Sequence, residues 1–381
     1  MKAAILGFGT VGSGAYEVLQ GARPELAVKR VLDLRVPPGF EGIVTTRFED
    51  ILADDEIGVV AEAMGGLHPA YEYVSACLRA GKHVVSANKH LICHYYRELS
   101  EAARAAGVTL RFTAAAGGGI PWLYNLRRTL RCDRVTALRG ILNGTTNYIL
   151  DAMQSFGSDF ADVLAAAQKL GYAEADPSAD IDGPDVRRKC AISASIAFDA
   201  VFTEEDVPTF GIRHITARDV EAFASLGLVC RLLAFARREG DAVCPYVEPT
   251  LLPRSAVESA VGTNFNCVSL WGEAVGRLTF MGQGAGKYPT GHALASDMLD
   301  AAAGGPMAAP SLTRPQIDHT LHPHRYYIRT ESGLVSAISE HTGPFYALSR
   351  PLTVAEAHTW YDRMTKDDPQ TFIAGMEDDI E

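Results

Sequence analysis

At 381 residues, 47% of them hydrophobic, the chain exceeds the usual size of one domain and has material for two cores. Its 46 acidic against 35 basic residues leave a net charge of −11, which repels phosphate backbones and anionic lipid and excludes nucleic acid and membrane surfaces as expected partners. The seven cysteines (Cys77, Cys93, Cys132, Cys190, Cys230, Cys244, Cys267) are odd in number and include no CxxC pair, so they signal neither a disulfide framework nor a zinc site but, for most of them, buried thiols in a reducing compartment.

The first predicted element is an apolar strand, Lys2 to Leu6, which runs into Gly7-Phe8-Gly9-Thr10-Val11-Gly12 and then a helical pattern through Tyr16, Val18 and Leu19. The glycines cut the opening apolar run short of a signal peptide, and no later run reaches the roughly 18 apolar residues of a membrane-spanning helix. The expected location is therefore cytoplasmic. Strand, GxGxxG and helix in this order form a dinucleotide fingerprint. Gly7 permits the tight bend, Gly9 lets backbone approach a pyrophosphate, and Gly12 allows close helix–strand packing at a positive helix N-terminus. The bland reading is a turn in some other α/β sheet. Against it stands Asp33, which closes a second apolar run, Leu26 to Leu34, 21 residues after Gly12, where an acidic group meets a ribose hydroxyl. Asp33 favours the free 2′-hydroxyl of NAD and Arg35 suits the 2′-phosphate of NADP, so the cofactor is NAD or NADP, with NAD slightly ahead.

A strand over Ile57 to Ala61 leads to the loop Met64-Gly65-Gly66-Leu67-His68-Pro69, a helix from Ala70 to Ala80 and a strand over His83 to Ser86. Alternating strands and helices predict a parallel, doubly wound sheet whose loops at 64–69 and 87–89 face the cofactor. Lys89 reads either as a solvated loop residue or as a functional cation.

Further on, Thr113 to Pro121 (TAAAGGGIP) is a small-residue loop whose consecutive glycines leave backbone open to a ligand or ion. Gly140 to Leu150 (GILNGTTNYIL) reads as an Asn-Gly turn followed by Thr145 or Thr146 as a helix cap. Asp185 and Lys189 are four apart on a helix that Pro184 can initiate, which puts them on one face. A surface salt bridge is the bland reading. The almost wholly apolar stretch from Cys190 to Phe198 instead places the pair at the mouth of a buried helix, where a site is expected.

Taken together, the motifs resemble homoserine dehydrogenases. The similarity runs through the N-terminal fingerprint, MGGLHPA (64–70), SANKHLI (86–92), AGGGIP (116–121), GILNGTTNYIL (140–150), LGYAEADPSADIDGPDVRRK (170–189) and FMGQGAGKYPTGHALASDMLD (280–300), about residues 1 to 330. The resemblance implies NAD(P)-dependent, reversible reduction of L-aspartate 4-semialdehyde to L-homoserine in threonine, methionine and isoleucine biosynthesis. It implies a cofactor held by Gly7, Phe8, Gly9, Thr10, Val11, Gly12, Asp33, Arg35, Met64, Gly65, Lys89 and Gly286. Substrate contacts would come from Tyr172, Glu174, Asp180 and Asp185, with Lys189 as proton donor, Asp185 beside it and Lys89 sharing proton transfer. A sodium-like cation would lie on the backbone of Ala116, Gly118 and Ile120, although Thr113 stands where the family carries a glutamate. A homodimer pairing through the substrate domain is also implied.

The implied fold class is α/β: a Rossmann-type sheet over 1–115 plus 284–315, an inserted α+β substrate and dimerisation domain over 116–283, and a short ACT-like tail over 322–381. The tail rests on His324 to Arg329, which resembles the first strand of an ACT module, followed by an expected short helix, a strand around Pro344 to Leu348 and a helix from Val354 to Met364. Glu377 to Glu381 is expected to be a solvated tail. Two rival readings stand: another amino-aldehyde reductase on the same scaffold, or a non-catalytic NAD-binding sensor. A phosphorylating semialdehyde dehydrogenase needs a cysteine nucleophile at a helix start, and Cys132 and Cys190 are poorly placed for that.

Overall fold

The computed structural model describes residues 1–22, 26–304 and 311–376, so the expected solvated tail at 377–381 lies outside the described residues. Two compact units emerge: Met1–Arg128 with Asp199–Thr203 and Gly282–Arg314, and Thr129–Phe198 with Glu204–Met281 and Pro315–Glu381.

The first unit is built on six strands, β1 (Lys2–Leu6), β2 (Val28–Leu32), β3 (Val44–Thr45), β4 (Ile57–Glu62), β5 (His83–Ser86) and β6 (Leu110–Arg111), in the order β3-β2-β1-β4-β5-β6. All five pairings are parallel. A parallel sheet is covered on both faces, which is why β1 and β4 read as continuous apolar runs and not as alternating ones. Ile5, Val31, Val59 and Val85 from the strands join Leu294 and Met298 in one core. Those last two sit on the Lys287–Ala302 helix, which packs on the Thr10–Ala22 helix and on β4 and β5. A distant stretch of chain thus completes this unit. The order reverses at β1 and β4, so a crevice for a ligand is expected beyond their carboxyl ends.

The second unit carries β7 (Val135–Ile141), β8 (Leu228–Glu239), β9 (Ala242–Pro253), β10 (Phe265–Gly272), β11 (Gly276–Gln283), β12 (Gln316–Ile317), β13 (Arg325–Arg329), β14 (Ser339–Thr342), β15 (Ala347–Ser349) and β16 (Phe372–Met376). The sheet order is β11-β10-β7-β8-β9-β16-β13-β15-β14, with β12 pairing β9. A 12-residue β8–β9 ladder forms its spine, and the Pro184–Ala197 helix packs on β7, β8 and β9.

Residues set apart in sequence as a tail extend this same sheet: β16 pairs parallel to β9, with Gly375 beside Thr250. The short helix expected after 330 is a 3₁₀ turn, Gly333–Ala337. The strand expected around Pro344 begins only at Ala347, since proline has no N–H to give a ladder. The Val354 helix runs on to Asp367 behind a capping box made by Thr353 and Glu356. No helix among the described residues is long and apolar enough to cross a membrane.

Candidate active site

In the first unit the glycine turn is sterically obligatory. Gly7 has φ +90°, and a Cβ on Gly12 would lie 2.0 Å from the Gly7 carbonyl oxygen. Space above Gly9 is open, with nothing within 4 Å of a Cβ there. A backbone cradle open at Gly9 and leading into the helix that starts at Thr10 suits a pyrophosphate. Asp33 braces this turn from the end of β2: it accepts from Phe8 N at 2.6 Å and from Arg35 N at 2.9 Å. Phe8, Thr10, Val11 and Arg35 are thereby gathered around one bend.

Glu62 and Asn88 do the same for the next two loops, and sequence reading passed over both. Glu62 ends β4 fully buried and accepts from Met64 N at 2.9 Å, Gly65 N at 3.3 Å, Ser86 Oγ at 2.5 Å and Asn88 Nδ2 at 3.3 Å. Burial pushes its carboxyl above the usual range. Asn88 caps the Lys89–Ala106 helix by accepting from Leu91 N, and its amide nitrogen donates to Gly66 O at 2.7 Å. Lys89 is therefore the first residue of a helix and half-buried, not a solvated loop residue.

The glycine loop at 116–120 packs backbone to backbone against 282–286. Gly119 N donates to Gln283 O at 3.0 Å, and a Cβ on Gly118, at φ +55°, would lie 2.1 Å from Gly284 O. Gly286, at φ +130°, precedes the Lys287–Ala302 helix. Just upstream, Thr113 donates through its backbone N and hydroxyl to the two oxygens of Asp297, at 2.7 and 2.8 Å. Asp297 is 3% exposed, and burial pushes its carboxyl up to about 6. Among the described residues no group of three or more His, Cys, Asp or Glu side chains could hold a metal.

The second unit holds a buried polar cluster. Lys189 donates to Asp185 Oδ2 and to the Leu142 carbonyl, both at 2.7 Å, with only 10% of its side chain exposed. The i,i+4 pair is thus buried, and the surface salt-bridge reading is excluded. Asn143 donates from Nδ2 to Asp180 Oδ1 at 2.7 Å and to Asp185 Oδ2 at 2.9 Å. Its Oδ1 accepts from Thr146 N at 2.8 Å, so Asn143 is the N-cap of the Gly144–Phe156 helix. That corrects the expectation of Thr145 or Thr146 as cap after an Asn-Gly turn: Asn143 lies in extended backbone and the helix begins at Gly144. Thr145 instead donates to the Tyr172 carbonyl at 2.5 Å, and the Tyr172 ring packs edge-on to Tyr148. Glu174 is exposed, and its backbone carbonyl accepts from Gln168.

A parallel sheet with a dinucleotide turn in one unit, and a buried lysine held by a carboxylate and a backbone carbonyl in the other, define the class: a nicotinamide-dependent oxidoreductase. Residues 7–113 match the family "Homoserine dehydrogenase, NAD binding domain" and residues 121–299 the family "Homoserine dehydrogenase". A homoserine dehydrogenase of Corynebacterium glutamicum is 43% identical over 78% of this chain and 71% of its own length. That of Synechocystis is 40% identical over 79% and 73%. A solved homoserine dehydrogenase from Thiobacillus denitrificans superposes with TM-score 0.89 at 32% identity, covering 99% of this chain and 98% of its own. A hyperthermophilic archaeal homoserine dehydrogenase in complex with NADPH shares the fold, with TM-score 0.69 at 22% identity over 80% of this chain and 98% of its own. The chain belongs to the homoserine dehydrogenase family of NAD(P)-dependent oxidoreductases, and the sensor and other-reductase readings are not favoured.

Proposed function

We propose that the chain interconverts L-aspartate 4-semialdehyde and L-homoserine, with Lys189 as the group that stabilises and protonates the developing alkoxide. The observation that carries this reading is the buried ammonium of Lys189, held at 2.7 Å by both Asp185 and the Leu142 carbonyl. A cation fixed in a low-dielectric pocket stabilises a developing negative charge far better than one in water. In this reading Asp185 orients that ammonium, Asp180 and Glu174 pair with the substrate's own ammonium, and Tyr172, whose ring packs edge-on to Tyr148, adds a further substrate contact. Lys89, at a helix start, is assigned to the cofactor side and a share of the proton transfer.

The bound nicotinamide nucleotide supplies the hydride. Gly7 to Gly12 would hold its pyrophosphate and Asp33 its ribose, with Met64, Gly65 and Gly286 around it. With both Asp33 and Arg35 present, NAD and NADP are each accepted in this reading, with NAD ahead. Backbone carbonyls of Ala116, Gly118 and Ile120 would hold a sodium-like cation. The Ile120 carbonyl already accepts from Trp122 N at 2.7 Å, with a lone pair to spare. The domain roles follow: cofactor binding in residues 1–115 plus 284–315, substrate binding and homodimer pairing in 116–283, and an ACT-like element from 322. The same reading puts the enzyme in the cytoplasm, in keeping with cysteines that are buried apart from Cys132.

The test is homoserine-dependent reduction of NAD and of NADP, followed by the absorbance of the reduced nicotinamide. Turnover with homoserine is expected with either nucleotide. No turnover with homoserine under any condition that supports folding would reject the reading.

A further inference from the structure

Asn143 joins three elements through one carboxamide that has a single possible orientation. Its Oδ1 accepts from the Thr146 backbone N–H at 2.8 Å and from the Thr146 hydroxyl at 3.1 Å. A backbone N–H can only donate, so the amide nitrogen must point the other way. There it meets only acceptors, Asp180 Oδ1 at 2.7 Å and Asp185 Oδ2 at 2.9 Å, one for each of its two N–H bonds. Asp185 Oδ2 is the same oxygen that accepts from Lys189 at 2.7 Å. With Asn143 only 4% exposed, bulk water has little room to substitute for this bridge.

The two carboxylates need such a bridge. Asp180 sits on a four-residue helix, Ser178–Ile181, and Asp185 on the fourteen-residue helix that starts at Pro184. Adjacent like charges repel. A shared donor between them offsets that repulsion and sets their spacing.

We propose that Asn143 is a positioning residue for the reaction: its amide nitrogen keeps Asp185 on Lys189 while holding Asp180 where it meets the substrate's ammonium. The proposal rests on the roles given above to Lys189, Asp185 and Asp180. It assigns Asn143 a task beyond capping its own helix, and the two tasks are separable because they use different atoms of one side chain.

Asn143→Ser and Asn143→Asp both retain an oxygen that accepts from Thr146 N–H, since serine and aspartate are good N-caps. Neither can donate to both carboxylates, and aspartate adds a third negative charge. In the full-length enzyme both variants are expected to melt close to wild type and to keep the cofactor KM. The KM for the amino-aldehyde should rise and kcat should fall, each by about tenfold, as suits lost hydrogen bonds to charged groups, and Asn143→Asp should be the worse of the two. If one variant does not fold, the other carries the same comparison. Wild-type kcat and KM in the folded variants would overturn the proposal. So would a joint fall in kcat and melting temperature with the amino-aldehyde KM unchanged, which is the signature of a cap alone. Lys189→Ala, run alongside, separates the two claims. If it is inactive while the Asn143 variants match wild type, only the role of Asn143 is lost; if it turns over normally, the assignment beneath falls and this proposal with it.

Discussion

Lys189 shows how far a residue's meaning depends on what surrounds it. A lysine four residues after an aspartate is commonplace on helix surfaces, where such a pair contributes about 0.3 to 0.5 kcal/mol. Here the pair is buried and the ammonium is shared with a strand-end carbonyl. We expect Lys189→Ala to lower kcat at least about a hundredfold, the scale of a lost general acid, while cofactor affinity stays near wild type. Steady-state kinetics with each nucleotide checks this, and retained turnover would remove Lys189 from the mechanism. Glu174 is exposed, and its backbone carbonyl accepts from Gln168. Glu174→Ala should mainly raise the KM for the amino-aldehyde; a change confined to the cofactor KM would contradict the substrate role.

Three of the helices begin at tightly built starts. The Thr10–Ala22 helix leaves the glycine turn with Gly12 against the Gly7 carbonyl, the Lys89–Ala106 helix starts behind Asn88, and the Gly144–Phe156 helix starts behind Asn143. A methyl group on Gly12 would meet the Gly7 oxygen at 2.0 Å, a contact that only movement of the helix away from β1 relieves. Gly12→Ala is therefore expected to weaken binding of both nucleotides and to lower the melting temperature, while the circular dichroism of the remaining fold persists. Unchanged nucleotide affinity, read by fluorescence titration, would show that the close approach is dispensable. The asparagine caps also explain why the element starts were only partly legible. An Asn-Gly pair reads locally as a turn, and only the extended backbone at Asn143 makes it a cap.

On the scale of the whole molecule, pH reports which buried groups each unit carries. Burial raises Asp297 to about 6 in the first unit, so the folded state holds a proton that the unfolded chain, titrating near 3.8, releases. Stability from this group is thus gained as pH falls from about 6 to 4, by roughly 3 kcal/mol at 1.36 kcal/mol per unit. In the second unit burial lowers His358 to about 4, so the unfolded chain takes the proton first and stability from this group is lost as pH falls from 6.5 towards 4. The two trends oppose each other. The stability difference between wild type and Asp297→Asn, followed by thermal melting, should therefore grow in favour of wild type between pH 7 and pH 4. A difference independent of pH would show that Asp297 is ionised throughout.

What the chain's order of residues determined by itself was whatever depends on near neighbours. The parallel-sheet unit, the glycine fingerprint with Asp33, the helix carrying Asp185 and Lys189, and the family motifs are all local patterns of period, spacing and small residues. Tertiary structure alone decided the partnerships across long stretches of chain. Asn143 meets carboxylates 37 and 42 residues away, Glu62 accepts from Ser86 on the neighbouring strand, and β16 lies along β9. Thr113, which replaces an expected carboxylate, finds one 184 residues later in Asp297. The physical reason is that a hydrogen bond is specified by position in space. Local periodicity says which face of an element is buried, but not which distant polar group will be waiting there.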